Sequence, residues 1–469
     1  MGPIPKPHVV CLPLPLQGHI NPMLRFAKLL HYRGFHVTFV NTEFNHKRMF
    51  GSTHDPDTVD GFCFRSIPLD HQPPSTGNGD LALNLDALIK TCRQHLLTPF
   101  RDLIDKLNSQ APPVTCILSD AILGHTVMVS QELGIPHVLL WAVSASGYLY
   151  IMESYAKMRN SIALLKDGSG DIAEHLDIFR KFIPGLKGAQ PEDVMKYLQS
   201  LNATETNENE LENALVPSAI VFDIFEAMDQ EALRFISSTF PKVFSIGPLN
   251  LLLNTIPKEP YNLIGCNLWN VECDCTKWLD SKQLNSVIYV NFGSMTVMAP
   301  ERVVELAWGL AKSDCNFLWI IRPGFVKGEK AILPQEFVDE TKERAFLGSW
   351  CEQEKVLNHQ SVAGFITHSG WNSTIESISS GVPMICWPFC TEHLDNCRKS
   401  CNELGVGVEL SDNFTREEVE NVVREVLSGE KAKKLKIKAL EWKKKAEAAT
   451  SNAGTSLDNL DILVNEVLL

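Results

Sequence analysis

Twice along this chain, short runs of apolar and β-branched residues alternate with amphipathic segments that end at a glycine. No other feature constrains the fold as strongly, because strands separated by helix-length segments pair in parallel and need helices on both faces of their sheet. In the first series His8 to Leu12 reads as a strand. It leads through a loop containing Gly18 into a helix with Pro22 in its first turn and Gly34 at its end, then into a strand over Phe35 to Asn41. A strand over Val114 to Ser119, a helix over Ala121 to Leu133 stopped by Gly134, and a strand over His137 to Val143 continue the series. Around Ile246 to Leu249 the alternation breaks. The second series places strands at Ser286 to Asn291, Phe317 to Ile321, Val362 to Thr367 and Met384 to Trp387, with helices at Glu301 to Lys312 and Asn372 to Ser380. The expected division is a first α/β domain over 1–250, a linker over 251–274, a second α/β domain over 275–450, and a closing helix over 451–469 that returns to the first domain. Two doubly wound domains should meet at a cleft lined by the carboxyl ends of their strands, where such sheets bind ligands.

The 469 residues suffice for two full cores, and 44% hydrophobic with 21% charged residues is the balance of a folded protein. A net charge of -13 argues against nucleic acid as the main partner, since phosphate backbones are held by concentrated Lys and Arg. Eight lysines crowd between Lys431 and Lys445, but Leu435, Ala439, Trp442 and Ala446 recur among them at helical spacing, so this reads as an amphipathic helix with a solvated basic face. The opening apolar run, Val9 to Leu16, is broken by Pro13 and Pro15 and lacks a basic flank, so no signal peptide is expected. With no run long enough to span a bilayer, the 13 cysteines read as reduced thiols of a cytosolic protein, expected to be a monomer. Cys386, Cys390, His393, Cys397 and Cys401 invite a zinc reading, but their spacing differs from paired C-x-x-C knuckles. Cys397 and Cys401 read instead as small apolar positions one helical turn apart. Asp55-Pro56-Asp57 mimics a metal-binding D-x-D but, centred on proline, reads as a turn.

Chemistry enters at Gly364 to Thr374, where a strand turns directly into a helix. A helix start offers backbone N–H groups and the positive end of a dipole to an anion, and His368, Asn372 and Ser373 add donors there; Ser and Asn also stand at such starts simply as caps. Neither a G-x-x-x-x-G-K-[ST] nor a G-x-G-x-x-G after the first strand is present, which removes the usual triphosphate and dinucleotide readings.

From Trp350 to His393 the chain, WCEQEKVLNHQSVAGFITHSGWNSTIESISSGVPMICWPFCTEH, resembles the 44-residue donor-binding box of the plant family-one UDP-glycosyltransferases. The remainder, from PLQGHINP onward, is similar to the same family, closest to its branch acting on small terpenoids, cyanohydrins and related alcohols. The resemblance implies the GT-B fold, two Rossmann-like doubly wound domains, and a UDP-sugar co-substrate with no other cofactor. It implies that Trp350 stacks on uracil while the Cys351 backbone meets the base edge, and that Gln353 and Glu376 hold the ribose. Ser294, His368, Asn372 and Ser373 would then bind the diphosphate, and Trp371, Glu392 and His393 would face the sugar. The chain departs from the family pattern twice. Glu352 replaces the usual proline at a helix start, where a carboxylate is also favourable. His393 replaces the glutamine usual in glucose-using members; glucose remains the expected sugar, with galactose or a pentose the alternative.

A hydroxyl attacking an anomeric carbon grows acidic, so a base within hydrogen-bond reach speeds the step. His19, in Gly18-His19-Ile20-Asn21-Pro22, reads alone as a surface or capping residue. Asp120, ending a strand on the same sheet edge, could hold the imidazole tautomer and stabilise the imidazolium. The family assigns the matching residues this role. The expected reaction is a single inverting displacement that needs no metal, because the helix dipole and neutral donors would offset the charge growing on UDP. The acceptor is expected among Leu16, Gln17, Trp141 to Tyr148, Leu85 to Ile89, Phe389 and Cys390, and to be an apolar alcohol or phenol. A catalytically idle binding protein of this fold, and a retaining or phosphorylase-type enzyme, are the competing readings.

Overall fold

The computed structural model describes residues 6–469 except 51–58, 70–80, 111, 167–169, 183–189, 193–215, 241, 266, 269–274, 327–332 and 390; Asp55 to Asp57 and Cys390 therefore lie outside the described residues. The chain forms two compact units, one of residues 1–73, 82–268 and 448–469 and another built chiefly from 269–447.

In the first unit seven parallel strands stand in the order β3-β2-β1-β4-β5-β6-β7. They are β1 (His8–Leu12), β2 (His36–Thr42), β3 (Phe62–Ile67), β4 (Cys116–Asp120), β5 (His137–Trp141), β6 (Ala219–Phe222) and β7 (Val243–Ser245). All five residues of β1 and of β4 are buried, as central strands covered on both faces must be. The order reverses between β1 and β4, which pair directly, with Leu12 opposite Ser119. This is the switch point at which an open parallel sheet splays its loops apart.

Helix α1 (Gln17–Tyr32) leaves β1 earlier than its sequence suggests. Leu16, in extended conformation, is its N-cap, and the backbone N–H groups of His19 and Ile20 both donate to the Leu16 carbonyl at 2.9 Å. His19 thus sits in the first helical turn rather than in a loop, and Pro22 lies inside the helix rather than at its start. A single backbone bond is forfeited there, in a turn whose other face buries Ile20, Met23 and Leu24. The helix expected over Ala121 to Leu133 is a 3-10 turn over Ala121–Thr126 followed by an α-helix over Val127–Leu133, with a break at Leu123. Helix α2 (Ala145–Lys166) follows β5, and its first backbone N–H donates to the buried Asp229 carboxylate at 3.1 Å.

The stretch read as linker begins in the first unit's core. Leu249, Leu252, Ile256, Tyr261 and Ile264 join the cluster formed by β1, β2 and α1. Their apolar spacing was hidden by the prolines between them.

The second unit repeats the plan with six parallel strands in the order β10-β9-β8-β11-β12-β13. These are β8 (Val287–Asn291), β9 (Asn316–Ile320), β10 (Ala345–Gly348), β11 (Val362–Thr367), β12 (Met384–Cys386) and β13 (Gly407–Glu409), and the reversal falls between β8 and β11. Helices α3 (Gln353–Leu357), α4 (Trp371–Ser380) and α5 (Thr391–Arg398) carry the box residues. Helix α6 (Gly429–Thr450) contains the lysine-rich run, burying Leu435 and Ala439. Helix α7 (Thr455–Leu463) belongs to the first unit: Leu460 and Leu463 enter its core, and Ser456 Oγ donates to the Gly247 carbonyl at 2.6 Å. No helix among the described residues is long and apolar enough to cross a membrane.

Candidate active site

Each sheet gathers its polar residues at its own switch point. In the first unit, β1 runs into α1 and presents His19, while the neighbouring β4 ends on Asp120. His19 Nδ1 lies 2.6 Å from Asp120 Oδ2, with the His19 side chain 21% exposed and that of Asp120 only 3%. The other carboxylate oxygen, Oδ1, accepts from the Ile122 backbone N–H at 3.0 Å, so the carboxylate is held from both sides. A carboxylate only accepts, so Nδ1 of His19 carries the proton and Nε2 is the basic nitrogen. The 2.6 Å separation is that of a short charge-assisted bond.

The acceptor expectations fare unevenly. Gln17 is 4% exposed, and both ends of its amide are engaged inside the first unit: Nε2 donates to Asn21 Oδ1 and Oε1 accepts from the Leu268 backbone N–H, each at 2.7 Å. It braces the start of α1 and is not available as lining. Trp141 and Tyr148 remain partly exposed and pack edge to face at 4.9 Å. Leu16 and Phe389 are partly exposed as well. Leu85 to Ile89 lie in a helix over Leu81–His95, with Leu88 buried at 2%.

In the second unit β8 ends in a tight turn. Gly293 adopts φ 70°, its N–H donates to Asn291 Oδ1 at 3.0 Å, and Arg322 Nε donates to its carbonyl at 3.0 Å, so that Ser294 is carried on a turn pinned from two sides. The imidazole of His368, from the end of β11, fills the space where a side chain on Gly293 would be: an added Cβ would lie 2.5 Å from its ring. Gly370 is constrained likewise, its Cβ position being 2.4 Å from His368 Nε2. Between them Ser369 adopts φ 63°, a conformation costing a non-glycine residue about 1–2 kcal/mol, and its carbonyl accepts from Asn396 Nδ2 at 2.9 Å. The same Asn396 amide donates to Glu392 Oε1 at 3.0 Å.

Helix α4 then starts at Trp371 with no side chain capping its N-terminus. Burial lowers His368 to about 3 and, with His368 as neighbour, holds His393 well below the imidazole range, so both rings are neutral. They meet edge to face at 4.7 Å. His368 Nδ1 is buried and has no hydrogen-bond partner.

The pair expected to hold a ribose is brought together. Gln353 Nε2 donates to Glu376 Oε2 at 2.8 Å and to Ser373 Oγ at 3.2 Å. Behind it stands a brace that the sequence reading missed: Asn291 Nδ2 donates to Gln353 Oε1 at 3.1 Å and to Tyr289 Oη at 2.8 Å. The one hint was a polar residue ending the otherwise apolar run of β8. Glu352 is the N-cap of α3, as its place in the box suggested. Trp350 is partly exposed beyond β10, Cys351 is buried, Asn372 and Glu392 are partly exposed, and Trp371 is only 2% exposed.

Residues 236–443 match the family model described as UDP-glucoronosyl and UDP-glucosyl transferase, and residues 6–251 match that of the glycosyltransferase N-terminal domain. A 7-deoxyloganetin glucosyltransferase from Catharanthus roseus is 48% identical across 98% of this chain and 96% of its own. An (R)-mandelonitrile beta-glucosyltransferase from Prunus dulcis is 46% identical across 99% of this chain and 98% of its own. Among solved structures, Phytolacca americana UGT2 complexed with UDP-2fluoro-glucose and pterostilbene superposes with a TM-score of 0.73 at 25% identity, covering 99% of this chain and all of that one. With two Rossmann-like units, a polar cluster at each switch point and relatives that span its full length, the chain belongs to the plant family-one UDP-glycosyltransferases of GT-B fold.

Proposed function

We propose that the protein transfers glucose from UDP-glucose to a hydroxyl of a small, largely apolar plant metabolite, with inversion, and that His19 is the general base. The observation carrying this reading is the 2.6 Å contact between His19 Nδ1 and the buried Asp120 carboxylate at the switch point of the first sheet. Nε2 takes the proton of the acceptor hydroxyl as its oxygen attacks the anomeric carbon, and the anomeric bond to UDP breaks on the opposite face. Asp120 stabilises the imidazolium that results.

On the donor side, Trp350 stacks on the base with the Cys351 backbone at its edge, Gln353 and Glu376 take the ribose hydroxyls, and Ser294, His368, Asn372 and Ser373 take the diphosphate. The orphaned Nδ1 of a neutral His368 and an uncapped helix start favour an anion there. These donors offset the charge on departing UDP, and catalysis proceeds without a divalent metal. Trp371, Glu392 and His393 face the sugar. Relatives named for 7-deoxyloganetin and mandelonitrile support an acceptor of terpenoid or cyanohydrin type and glucose as donor. The protein works as a cytosolic monomer in this reading. An idle binding protein would have no need of the buried dyad.

The test is a chelator-treated assay with terpenoid, phenolic and cyanohydrin acceptors, UDP-glucose and UDP-galactose offered separately, and His19→Ala alongside. A β-glucoside that disappears with His19→Ala is expected. A strict metal requirement, or an α-linked product, would overturn the mechanism.

A further inference from the structure

Three thiols far apart in function from the box residues converge at the far side of β12. Cys386 ends that strand, Cys397 lies near the end of α5, and Cys401 sits in the turn of π-helix, Lys399–Glu403, that continues α5. Their sulfurs all lie within 4.8 Å of one another. The sequence spacing had made Cys397 and Cys401 look like small apolar positions; the fold brings Cys386 to them, while His393 packs against His368.

Several features set this cluster apart from chance burial of thiols. Cys386 is 0% exposed and Cys397 1%, whereas Cys401 is partly exposed, so the cluster has a wall and a mouth. Space beside the sulfurs is kept open by a missing side chain: a Cβ on Gly407 would lie 2.9 Å from Cys401 Sγ and 3.3 Å from Cys386 Sγ. The π-turn that widens the helix at Cys401 is a rare feature that recurs at functional sites. Hydrogen bonds from Cys397, Cys401 and Ser369 hold the Cys386 thiol well below its ordinary range, so one sulfur of the three is already disposed to be a thiolate. Lys431 lies near enough to Cys401 to favour its thiolate too.

We propose that Cys386, Cys397 and Cys401 form a three-thiolate site for a single soft d10 metal ion of the zinc, cadmium or copper(I) class. Three sulfurs at about 2.3 Å from one ion stand about 4 Å apart, so the cluster needs to contract by less than about 1 Å. Soft thiolates select such ions over magnesium or calcium. Each thiol that still holds a proton releases it as its metal–sulfur bond forms, and no electron is transferred. The bound ion ties the carboxyl end of β12 to α5, one turn beyond His393.

The test uses the reduced full-length protein, stripped of metal and handled without oxygen. Cadmium is titrated in and its sulfur-to-metal charge-transfer absorption followed, zinc is measured by competition with a coloured chelator, and X-ray absorption reports the shell of bound zinc. One equivalent with a shell of about three sulfurs at about 2.3 Å is expected. Cys401→Ser should weaken uptake by more than about tenfold, as should Gly407→Ala, which keeps all three sulfurs but fills the space between them. Cys63→Ser, in the other unit, should change nothing, and thermal melts check that each variant is folded. The proposal fails if folded Cys401→Ser takes up metal as wild type does, or if the zinc shell holds fewer than two sulfurs. It fails equally if mild peroxide converts Cys386 and Cys401 to a disulfide in a protein that takes up no metal, which would mark a redox pair instead.

Discussion

Replacing Asp120 by asparagine isolates the proposed dyad from the fold around it. Asp120 uses one oxygen to accept from the Ile122 N–H at 3.0 Å and the other to accept from His19 Nδ1 at 2.6 Å. Asparagine has nearly the same shape but one oxygen and one NH2. The Ile122 N–H is a fixed donor, so the amide oxygen must stay on it and the NH2 must face His19. Nδ1 can then only accept, which moves the ring proton to Nε2 and blocks the nitrogen that should take the acceptor's proton. The imidazolium also loses its counter-charge in a site where Asp120 is 3% exposed. Loss of general base catalysis is worth about 10²–10⁴-fold, or about 3–5 kcal/mol of barrier. Initial rates at saturating UDP-glucose should therefore drop by that factor for Asp120→Asn, with KM for UDP-glucose little changed and the thermal midpoint within a few degrees of wild type. Since the two residues act as one unit, the double variant with His19→Ala should be no slower than His19→Ala alone. A single Asp120→Asn variant within about threefold of wild type, or additive losses in the double variant, would refute the reasoning.

Three other outcomes follow from the geometry. Gly293→Ala combines a left-handed φ, costing about 1–2 kcal/mol, with a Cβ 2.5 Å from the His368 ring; KM for the UDP-sugar should rise at least about tenfold, and an unchanged KM would show that this turn does not shape the donor site. His393→Gln should move the ratio of kcat/KM for UDP-glucose over UDP-galactose toward glucose by about tenfold, within the usual worth of one sugar contact; a ratio unchanged within about twofold would release His393 from sugar choice. Burial lowers His8 and His125 to about 4 and His137 and His368 to about 3, whereas in the unfolded chain each titrates near 6.5. Below pH 6.5 the unfolded state binds the extra protons, so stability rises with pH through this window and falls on acidification, by up to about 1.4 kcal/mol per pH unit for each histidine. Urea midpoints should drop between pH 7.5 and 5.5; a flat profile would mean these rings are not held neutral.

What the sequence by itself determined was whatever rests on neighbours in the chain. Apolar runs of strand length between glycine-ended helical segments specify parallel sheets, and β11 occupies Val362–Thr367, the range its apolar run predicts. The strand-to-helix turn at His368 and the uncapped start of α4 are local in the same sense, as is the box that carries the family resemblance. Starts of elements were less legible: α1 begins at Gln17 because Leu16 is extended and Gln17 is tied to Leu268, a contact between residues 251 positions apart. Tertiary structure alone decided which polar residues became partners. His19 and Asp120 stand 101 residues apart and meet because β1 and β4 are neighbours at a switch point, and the Asn291 amide reaches Gln353 across 62 residues. Chain spacing says nothing of a third cysteine brought in by a strand, nor of the side toward which the Gln17 amide turns. Periodicity is a property of the backbone's own repeat; hydrogen bonds between distant side chains exist only once packing has fixed both ends, at an entropy cost the whole fold has already met.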